Sequence, residues 1–411
     1  MSSESPQARE TSKATDDVAP GSLNPVEPDD GPETWDEEEE RDPGRRRSIE
    51  RRKALLRVVH GFEKGLLGSL TPQVRTPSKI EWMWERTVLY RYSSRRPRRY
   101  AVPVMIIPPL MVTPAIFDLR PGHSMVEHLL DRGFDVFLLD FGVPKEEDKD
   151  ITVDDYVLDF IPAAIERMRK VTGQDEVSLV GWSMGGIFIT LYAGRNGPKA
   201  HVRNAIVLGS PINFSKMFPL GLLARFGPKD PLYRLVDLFG NIPPWATRNG
   251  FKLLAPIGTA MRYKNLVVNL WDRDWVAGYE TINHWVDGFI PYPGTAFKQF
   301  VTEFVSDDKL RRGEITMGGE KIDLTRIRAN VLIFAGTTDA IAPPACVEAL
   351  LEYVSSEDKL CLHVPVGHIG LVAGSKAKKH IWEPMAEWLS TRSDEIPEAD
   401  RVTADPAAVG I

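Results

Sequence analysis

The chain has 411 residues, of which 43% are hydrophobic and 26% charged, the balance of an ordinary folded protein. This composition excludes a fibrous, collagen-like or wholly disordered chain. The net charge of −6 is unevenly spread: residues 1–43 carry fourteen acidic and three basic side chains, a net charge of −11, which leaves +5 for the rest. A mildly basic body suits an anionic small molecule as a ligand.

The cysteine content and the hydropathy further narrow the class of protein. The two cysteines, Cys346 and Cys361, are too few for a disulfide framework and lack the paired spacing of a zinc site. The most apolar stretch, residues 101–117, is interrupted by four prolines, so it cannot form the roughly 20-residue helix that spans a bilayer. The first thirty residues lack the apolar core of a secretory signal. We therefore expect a cytoplasmic protein with no transmembrane segment, no metal and no cofactor of its own.

The first seventy residues fall into two parts. Residues 1–44 have too little apolar content to offset ordering entropy, which predicts a disordered acidic tail. Residues 45–72 alternate basic and apolar side chains at helical spacing, which predicts an amphipathic basic helix. This helix is expected to lie against its own domain, with a membrane or partner surface as the alternative.

Four arginines between residues 95 and 99 could indicate a nucleic-acid surface. We expect them in a solvated hairpin turn instead, since no recognised nucleic-acid module accompanies them. No nucleic-acid partner is therefore predicted.

From residue 73 onwards, strand and helix signals alternate. This pattern predicts an α/β fold with a mostly parallel sheet and helices on both faces. The predicted strands cover residues 88–92, 102–107, 136–139, 177–180, 205–208, 331–335 and 360–364, and the predicted helices lie around residues 124–132 and 153–171.

The alternation stops between residues 211 and 294, where the chain is aromatic and punctuated by prolines. We interpret this region as an inserted cap. It divides the core into residues 73–210 and residues 295–393, and a disordered C-terminal tail is expected over residues 394–411.

The strongest chemical signal is the sequence Gly-Trp-Ser-Met-Gly-Gly, which follows the predicted strand 177–180 and precedes a helical stretch. Glycine on both sides of a serine in a strand-to-helix turn is typical of the nucleophile elbow of α/β-hydrolases. Ser183 is thereby predicted to be an exposed nucleophile. The alternative is a glycine-rich turn with an ordinary serine.

A serine nucleophile needs a base and an orienting acid, which in this architecture follow in the order Ser, Asp, His. Asp339 and His368 each come shortly after a predicted strand, where such folds keep their sites. The competing acids and histidines precede a strand, lie in the cap or lie within regular elements, where capping, packing or solvent exposure is expected: Asp272, Asp274, Asp307, Asp323, His363 and His380.

An acyl-enzyme mechanism also needs two backbone N–H groups aimed at the developing oxyanion. Met184, the residue after the nucleophile, is predicted to provide one of them. Leu110 or Met111, in the loop after strand 102–107, is predicted to provide the other. The alternative is that this loop is only a connector.

Several separate segments resemble the polyhydroxyalkanoate (PHA) synthases, and the likeness spans residues 75–390. These segments are residues 107–110, 117–124, 133–140, the elbow, 269–271, 318–324 and 339–343. The chain looks closer to the shorter catalytic subunit of the two-subunit synthases than to the long single-subunit forms.

The resemblance implies an α/β-hydrolase fold with a cap and a 3-hydroxyacyl group, carried by coenzyme A, as the acyl donor to a growing polyester. Ser183, Asp339 and His368 occupy the positions of the family's nucleophile, acid and base. A second synthase subunit, a homodimer and a polyester granule surface are the partners that it implies.

The family nucleophile is a cysteine, whereas this chain has Ser183. Acylated serine is an oxygen ester, so the thioester's activation is lost at loading and transfer to a chain hydroxyl is nearly neutral in free energy. Hydrolysis by an esterase, thioesterase or depolymerase-like enzyme is therefore the first alternative to polymerisation. The second is a granule- or partner-binding protein whose pocket is idle.

Overall fold

The computed structural model describes residues 50, 52–54, 56, 75–94, 96–217, 230–254 and 268–401. The predicted acidic tail and most of the predicted helix over residues 45–72 lie outside them. The described positions between residues 50 and 56 are helical, and the ammonium of Lys53 lies 4.7 Å from the ring centroid of Trp271, in the region predicted to be the cap.

The centre of the molecule is an eight-stranded sheet, which confirms the predicted α/β fold. Its strand order is β1-β2-β6-β3-β7-β8-β11-β12. The pairs β1–β2 and β2–β6 are antiparallel, and all the other neighbours are parallel. The strands are β1 (Ser78–Trp84), β2 (Thr87–Tyr92), β3 (Val104–Ile107), β6 (Val136–Asp140), β7 (Val177–Trp182), β8 (Val202–Leu208), β11 (Asn330–Gly336) and β12 (Lys359–Val364). Two small hairpins are formed by β4 (Asp118–Arg120) with β5 (His123–Ser124) and by β9 (Thr316–Met317) with β10 (Glu320–Lys321).

Helices cover both faces of the sheet. The described helices are α1 (Met125–Asp131), α2 (Val153–Asp155), α3 (Ile161–Thr172), α4 (Met184–Asn196), α5 (Asp230–Phe239), α6 (Pro244–Leu254), α7 (Arg273–Asp287), α8 (Gly294–Gln299), α9 (Lys309–Arg312), α10 (Pro344–Val347), α11 (Leu350–Tyr353) and α12 (Glu383–Ser390). Wider π-helical turns at Tyr156–Phe160, Phe300–Ser306 and Lys378–Trp382 continue α2, α8 and the approach to α12. None of the described helices is both long and apolar enough to span a bilayer.

The core consists of two apolar layers, one on each face of the sheet. In β3, Met105 and Ile107 belong to the layer beneath α3 and α4, whereas Val104 and Ile106 belong to the layer beneath α1 and α12. This alternation follows from the two-residue period of a strand. Because both faces are covered, β3 and β7 are buried along their whole length, as expected of central parallel strands.

Three expectations need correction. β1 was not predicted; it forms an edge hairpin with β2 through a turn at Glu85 and Arg86. The segment 96–99 is therefore no hairpin turn but the connection from β2 to β3. Its arginines are also paired rather than simply solvated: Arg96 pairs with Asp131, Arg99 with Glu395, and Arg98 with the buried carboxylate of Asp135.

The C-terminal boundary also differs from the expectation of disorder from residue 394. Glu395 forms a bridge with Tyr100, and the backbone N–H of Ile396 donates to the carbonyl of Arg99 at 2.7 Å. The folded part therefore extends at least to Arg401. Residues 402–411 lie outside the described residues.

Candidate active site

Ser183 lies in the tight turn between β7 and α4. Its backbone has φ 54° and ψ −120°, a strained conformation for a residue with a side chain, and its N–H donates to the carbonyl of Leu208 at 2.9 Å. A Cβ on Gly185 would collide with the carbonyl oxygen of Ile107, so only glycine lets the first turn of α4 pack against the end of β3. The turn therefore has the form of a nucleophile elbow, with Ser183 half-buried at its tip.

His368 and Asp339 form a buried pair. Nδ1 of His368 lies 2.7 Å from Oδ2 of Asp339, and the two residues are 9% and 4% exposed. The other carboxylate oxygen, Oδ1, accepts the backbone N–H groups of Ile341 and Ala342, both at 2.8 Å. With Asp339 accepting the proton on Nδ1, the Nε2 lone pair of the imidazole is available to act as a base.

Two neighbouring strands bring this pair together. Asp339 follows β11 and His368 follows β12, and these strands are paired in parallel. The loops that follow these two strands are also hydrogen-bonded to each other. The N–H groups of Thr337 and Thr338 donate to the carbonyls of Val364 and Val366, at 2.8 and 3.3 Å. The imidazole and the carboxylate therefore sit on a connected backbone frame.

The residue before Ser183 contacts the base directly. The indole Nε1 of Trp182 donates to the carbonyl of His368 at 3.2 Å, and the two rings lie 5.2 Å apart. Gly209 directly follows β8, the strand next to β7. A Cβ on Gly209 would lie 3.4 Å from Nδ1 of His368, so the His368–Asp339 pair lies beside the end of β8. Among the described residues, Ser183 and His368 form no side-chain hydrogen bond; such bonds often close only when substrate binds.

The predicted oxyanion donors lie on the two segments that meet at Gly185. Met184 begins α4 and is buried, and Leu110 is buried in the loop that follows β3. Met111 is half-buried and has a left-handed φ of 67°. A small cavity borders this loop, with Asp140 on its wall. Burial raises the pKa of Asp140, and the N–H of Gly142, which donates to its carboxylate, partly offsets this.

Comparisons with known proteins show which family the chain belongs to. A model described as the α/β-hydrolase fold matches residues 108–374. The poly(3-hydroxyalkanoate) polymerase subunit PhaC of Haloferax mediterranei is 31% identical over 341 residues, which cover 81% of this chain and 68% of that protein. The PhaC subunit of Allochromatium vinosum is 31% identical over 320 residues, covering 77% and 89%, and that of Synechocystis is 28% identical over 324 residues, covering 77% and 85%.

The chain belongs to the PhaC family. Since the nucleophile implied for this family is a cysteine, the two cysteines of this PhaC relative need to be located. Cys346 is buried in α10, where burial raises the pKa of its thiol to about 12, and burial raises the pKa of Cys361, on β12, to about 11. Neither thiol lies at an elbow, and both are protonated at neutral pH.

Other acids and a histidine that were considered for the catalytic triad have different partners in the structure. His363 pairs with Glu348 on the surface at 2.9 Å. Asp272 caps α7 and Asp323 caps a short turn, each by accepting backbone N–H groups. Asp274 pairs with Arg120 at 2.9 Å.

Sequence analysis missed Trp182 and the cap residues that contact the elbow and the loop at Met111. The Trp182 contact has a sequence signal, since the residue adjoins the motif. The cap contacts have none.

Proposed function

We propose that this protein is a PHA synthase-like acyltransferase, in which Ser183 accepts a 3-hydroxyacyl group from coenzyme A and passes it to the hydroxyl of a growing polyester. The observation that carries the proposal is the buried His368–Asp339 pair beside a serine elbow in a chain of the PhaC family. Family membership supports the reaction class, and the pair supports an activated serine.

In the loading step, the Oγ of Ser183 attacks the thioester carbonyl while Nε2 of His368 takes the hydroxyl proton. The N–H of Met184 and that of Leu110 or Met111 stabilise the oxyanion of the tetrahedral intermediate. Each such donor lowers the barrier by about 3 kcal/mol. When the carbon–sulfur bond breaks, His368 returns the proton to the departing thiolate, which leaves an ester on Ser183 and free coenzyme A.

In the transfer step, a hydroxyl group from the chain end or from a second hydroxyacyl unit attacks the Ser183 ester. His368 removes the proton of this hydroxyl and then returns it to Oγ, so the carboxylate of Asp339 faces an imidazolium in both steps. One ester replaces another, and no metal or cofactor of the protein is needed.

Hydrolysis is the second candidate, and the identity of residue 183 favours it. With a serine ester, the transfer to a hydroxyl is nearly neutral in free energy, so water competes unless the cap excludes it. A serine at the elbow thus permits a thioesterase or an esterase on the same machinery.

Product analysis with purified protein and 3-hydroxybutyryl-CoA separates the candidates. Acyl transfer predicts that release of coenzyme A is accompanied by polymer or hydroxyacyl oligomers, with a second synthase subunit or a granule surface added where the chain alone is slow. Free hydroxyacid as the sole product, even with those additions, would establish hydrolysis instead. Ser183→Ala should abolish release of coenzyme A, and Ser183→Cys should raise the ratio of polymer to free acid.

A separate labelling experiment tests whether the pocket is idle. A fluorophosphonate reacts readily only with an activated serine. We expect labelling at Ser183 that is lost in Ser183→Ala, whereas a protein that labels no faster than free serine would serve only to bind a granule or a partner.

A further inference from the structure

Three hydrogen bonds connect one short stretch of the chain, residues 285–292, to the predicted oxyanion site. The indole Nε1 of Trp285 donates to the carbonyl of Thr113 at 2.9 Å, and the N–H of Ile290 donates to the carbonyl of Met111 at 3.0 Å. The phenol of Tyr292 donates to the thioether sulfur of Met184 at 3.2 Å. The cap therefore contacts both segments that carry the predicted oxyanion donors.

Tyr292 is buried and its backbone is anchored within the cap region. It is 2% exposed, and its backbone exchanges two hydrogen bonds with Ile242, at 2.8 and 3.0 Å. Burial, followed by the nearby Tyr156, raises the pKa of Tyr292 well above its ordinary value, so the phenol is a neutral donor at neutral pH. Because a thioether is a weak acceptor, this contact orients Met184 more than it stabilises the fold.

The loop that carries Met111 has a strained backbone conformation. Met111 has a φ of 67°, in the left-handed region that favours glycine, and the bond from Ile290 to its carbonyl fixes that peptide. The elbow meets the same segment, since Gly185 packs on the carbonyl of Ile107. Ile290 and Tyr292, two residues apart, thus contact Met111 and Met184 respectively.

We propose that Tyr292 is a positioning residue, which holds the side chain of Met184, and through it the backbone N–H next to the nucleophile, in line with the donor of the Met111 loop. The cap is then part of the oxyanion site as well as its cover. This inference rests on the proposed acylation of Ser183.

Two near-isosteric variants and their combination test the inference. Tyr292→Phe removes the phenol oxygen, and Met184→Leu removes the sulfur but keeps the volume. Since oxyanion donors act in the transition state rather than on bound substrate, we expect each single variant to lower kcat about tenfold, with KM within about twofold. The double variant should lose no more than either single variant, because both changes remove the same contact.

Tyr192→Phe is the matched control. Tyr192 is another buried tyrosine, near the far end of α4, the helix that Met184 begins, and its phenol donates to the carbonyl of Ala200 at 3.1 Å. Its loss should lower the melting temperature and leave kcat unchanged. A purely structural role of Tyr292 would give the same pattern and would overturn the inference, as would additive losses of kcat in the double variant.

The rate of fluorophosphonate labelling separates this inference from the proposed function. Attack on phosphorus also develops negative charge on an oxygen, so Tyr292→Phe should slow labelling of Ser183 about tenfold. If the native protein is not labelled at all, the proposed function fails. If it is labelled and Tyr292→Phe is labelled at the same rate, Tyr292 has no positioning role and the proposed function stands.

Discussion

The elbow side and the cap side of the candidate site reach their geometry by different means. On the elbow side, each group follows a strand of one sheet, so the order β7-β8-β11-β12 alone brings Ser183, Asp339 and His368 to the same edge. On the cap side, the contacts of Trp285, Ile290 and Tyr292 join residues 108 to 179 positions apart. Hydrogen bonds between neighbouring strands build the first side, and single backbone or side-chain contacts between distant segments build the second.

This difference implies that the two sides respond differently to substitution. Changes at the elbow side should be severe, because backbone groups fill the space around each residue. Changes at the cap side should be mild and graded, because each contact is one of several.

The carboxylate of Asp339 gives the largest expected effect. In Asp339→Asn, the remaining carbonyl oxygen can still accept from Ile341 and Ala342, which turns the amide NH₂ towards Nδ1 of His368. The imidazole must then carry its hydrogen on Nε2, where the lone pair of the base is needed. We expect kcat to fall about 10³-fold with folding retained, as measured by release of coenzyme A and by circular dichroism.

Glu348→Gln is the control for this variant, since Glu348 pairs with His363 in an exposed copy of the same interaction. Its kcat should equal that of the native protein. Equal losses in both variants would show that the His368–Asp339 pair has no special role.

Gly185 tests the packing of the elbow. In Gly185→Ala, the new methyl group meets the backbone of Ile107 and Pro108, which cannot move without disturbing β3. We expect a loss of about 3 kcal/mol in the free energy of unfolding, measured by urea titration. The matched cap variant is Gly250→Ala, in α6, where a Cβ meets nothing within 4 Å; it should stabilise the protein by about 1 kcal/mol. Similar destabilisation by the two variants would remove the contrast between the two sides.

The thiols distinguish a serine enzyme from a cysteine enzyme. Because burial raises the pKa of Cys346 to about 12 and that of Cys361 to about 11, both stay protonated in the folded protein well above the pH at which unfolded thiols ionise. Alkylation by iodoacetamide at pH 8 should therefore be more than about tenfold slower in the native protein than in urea. The double variant Cys346→Ala, Cys361→Ala should keep full activity, and loss of acyl transfer in it would point to a thiol nucleophile.

The pair between Arg120 and Asp274 gives the smallest expected effect. Asp274 is mostly exposed, so Asp274→Asn should lower the free energy of unfolding by only about 0.5 kcal/mol. Burial alone would raise the pKa of Asp274, but the hydrogen bond and charge of Arg120, together with the charge of His123, hold this pKa below its ordinary value. The folded state therefore binds this proton less tightly than the unfolded state, and the stabilisation is lost as the pH falls below about 4.

Denaturant titrations at pH 7 and pH 3 measure this difference. Glu147→Gln, which removes an exposed partner of Lys145, is the control and should change nothing at either pH. An effect of Asp274→Asn that exceeds that of Gly185→Ala would mean that the cap is held by this single pair.

The sequence was most informative where a short motif and a strand coincide. The Gly-Trp-Ser-Met-Gly-Gly turn requires a strand before it and a helix after it, and β7 and α4 are both present. Asp339 and His368 could be chosen because each follows a buried strand, and parallel strands end at the same edge of a sheet. β1 was missed because its last three residues, 82–84, are all apolar and break the alternation, and because four of its seven residues are exposed.

The sequence predicts a cap from its composition, but it does not predict which cap residues contact the core. Its contacts with the core are single hydrogen bonds between distant segments, as from Trp285 to Thr113 and from Ile290 to Met111, and no periodicity in the sequence marks such a pair. The ion pair between Arg98 and Asp135 could not be predicted for the same reason. Arg98 follows β2 and Asp135 precedes β6, so their pairing depends on these strands being neighbours in the sheet.

Mass spectrometry of the acylated protein tests the central claim most directly. The protein is mixed with 3-hydroxybutyryl-CoA, quenched in acid within the first turnover and digested. The account predicts hydroxyacyl units on the peptide that contains Ser183, and none in Ser183→Ala. Acyl groups on Cys346 or Cys361, or continued turnover by Ser183→Ala, would contradict it.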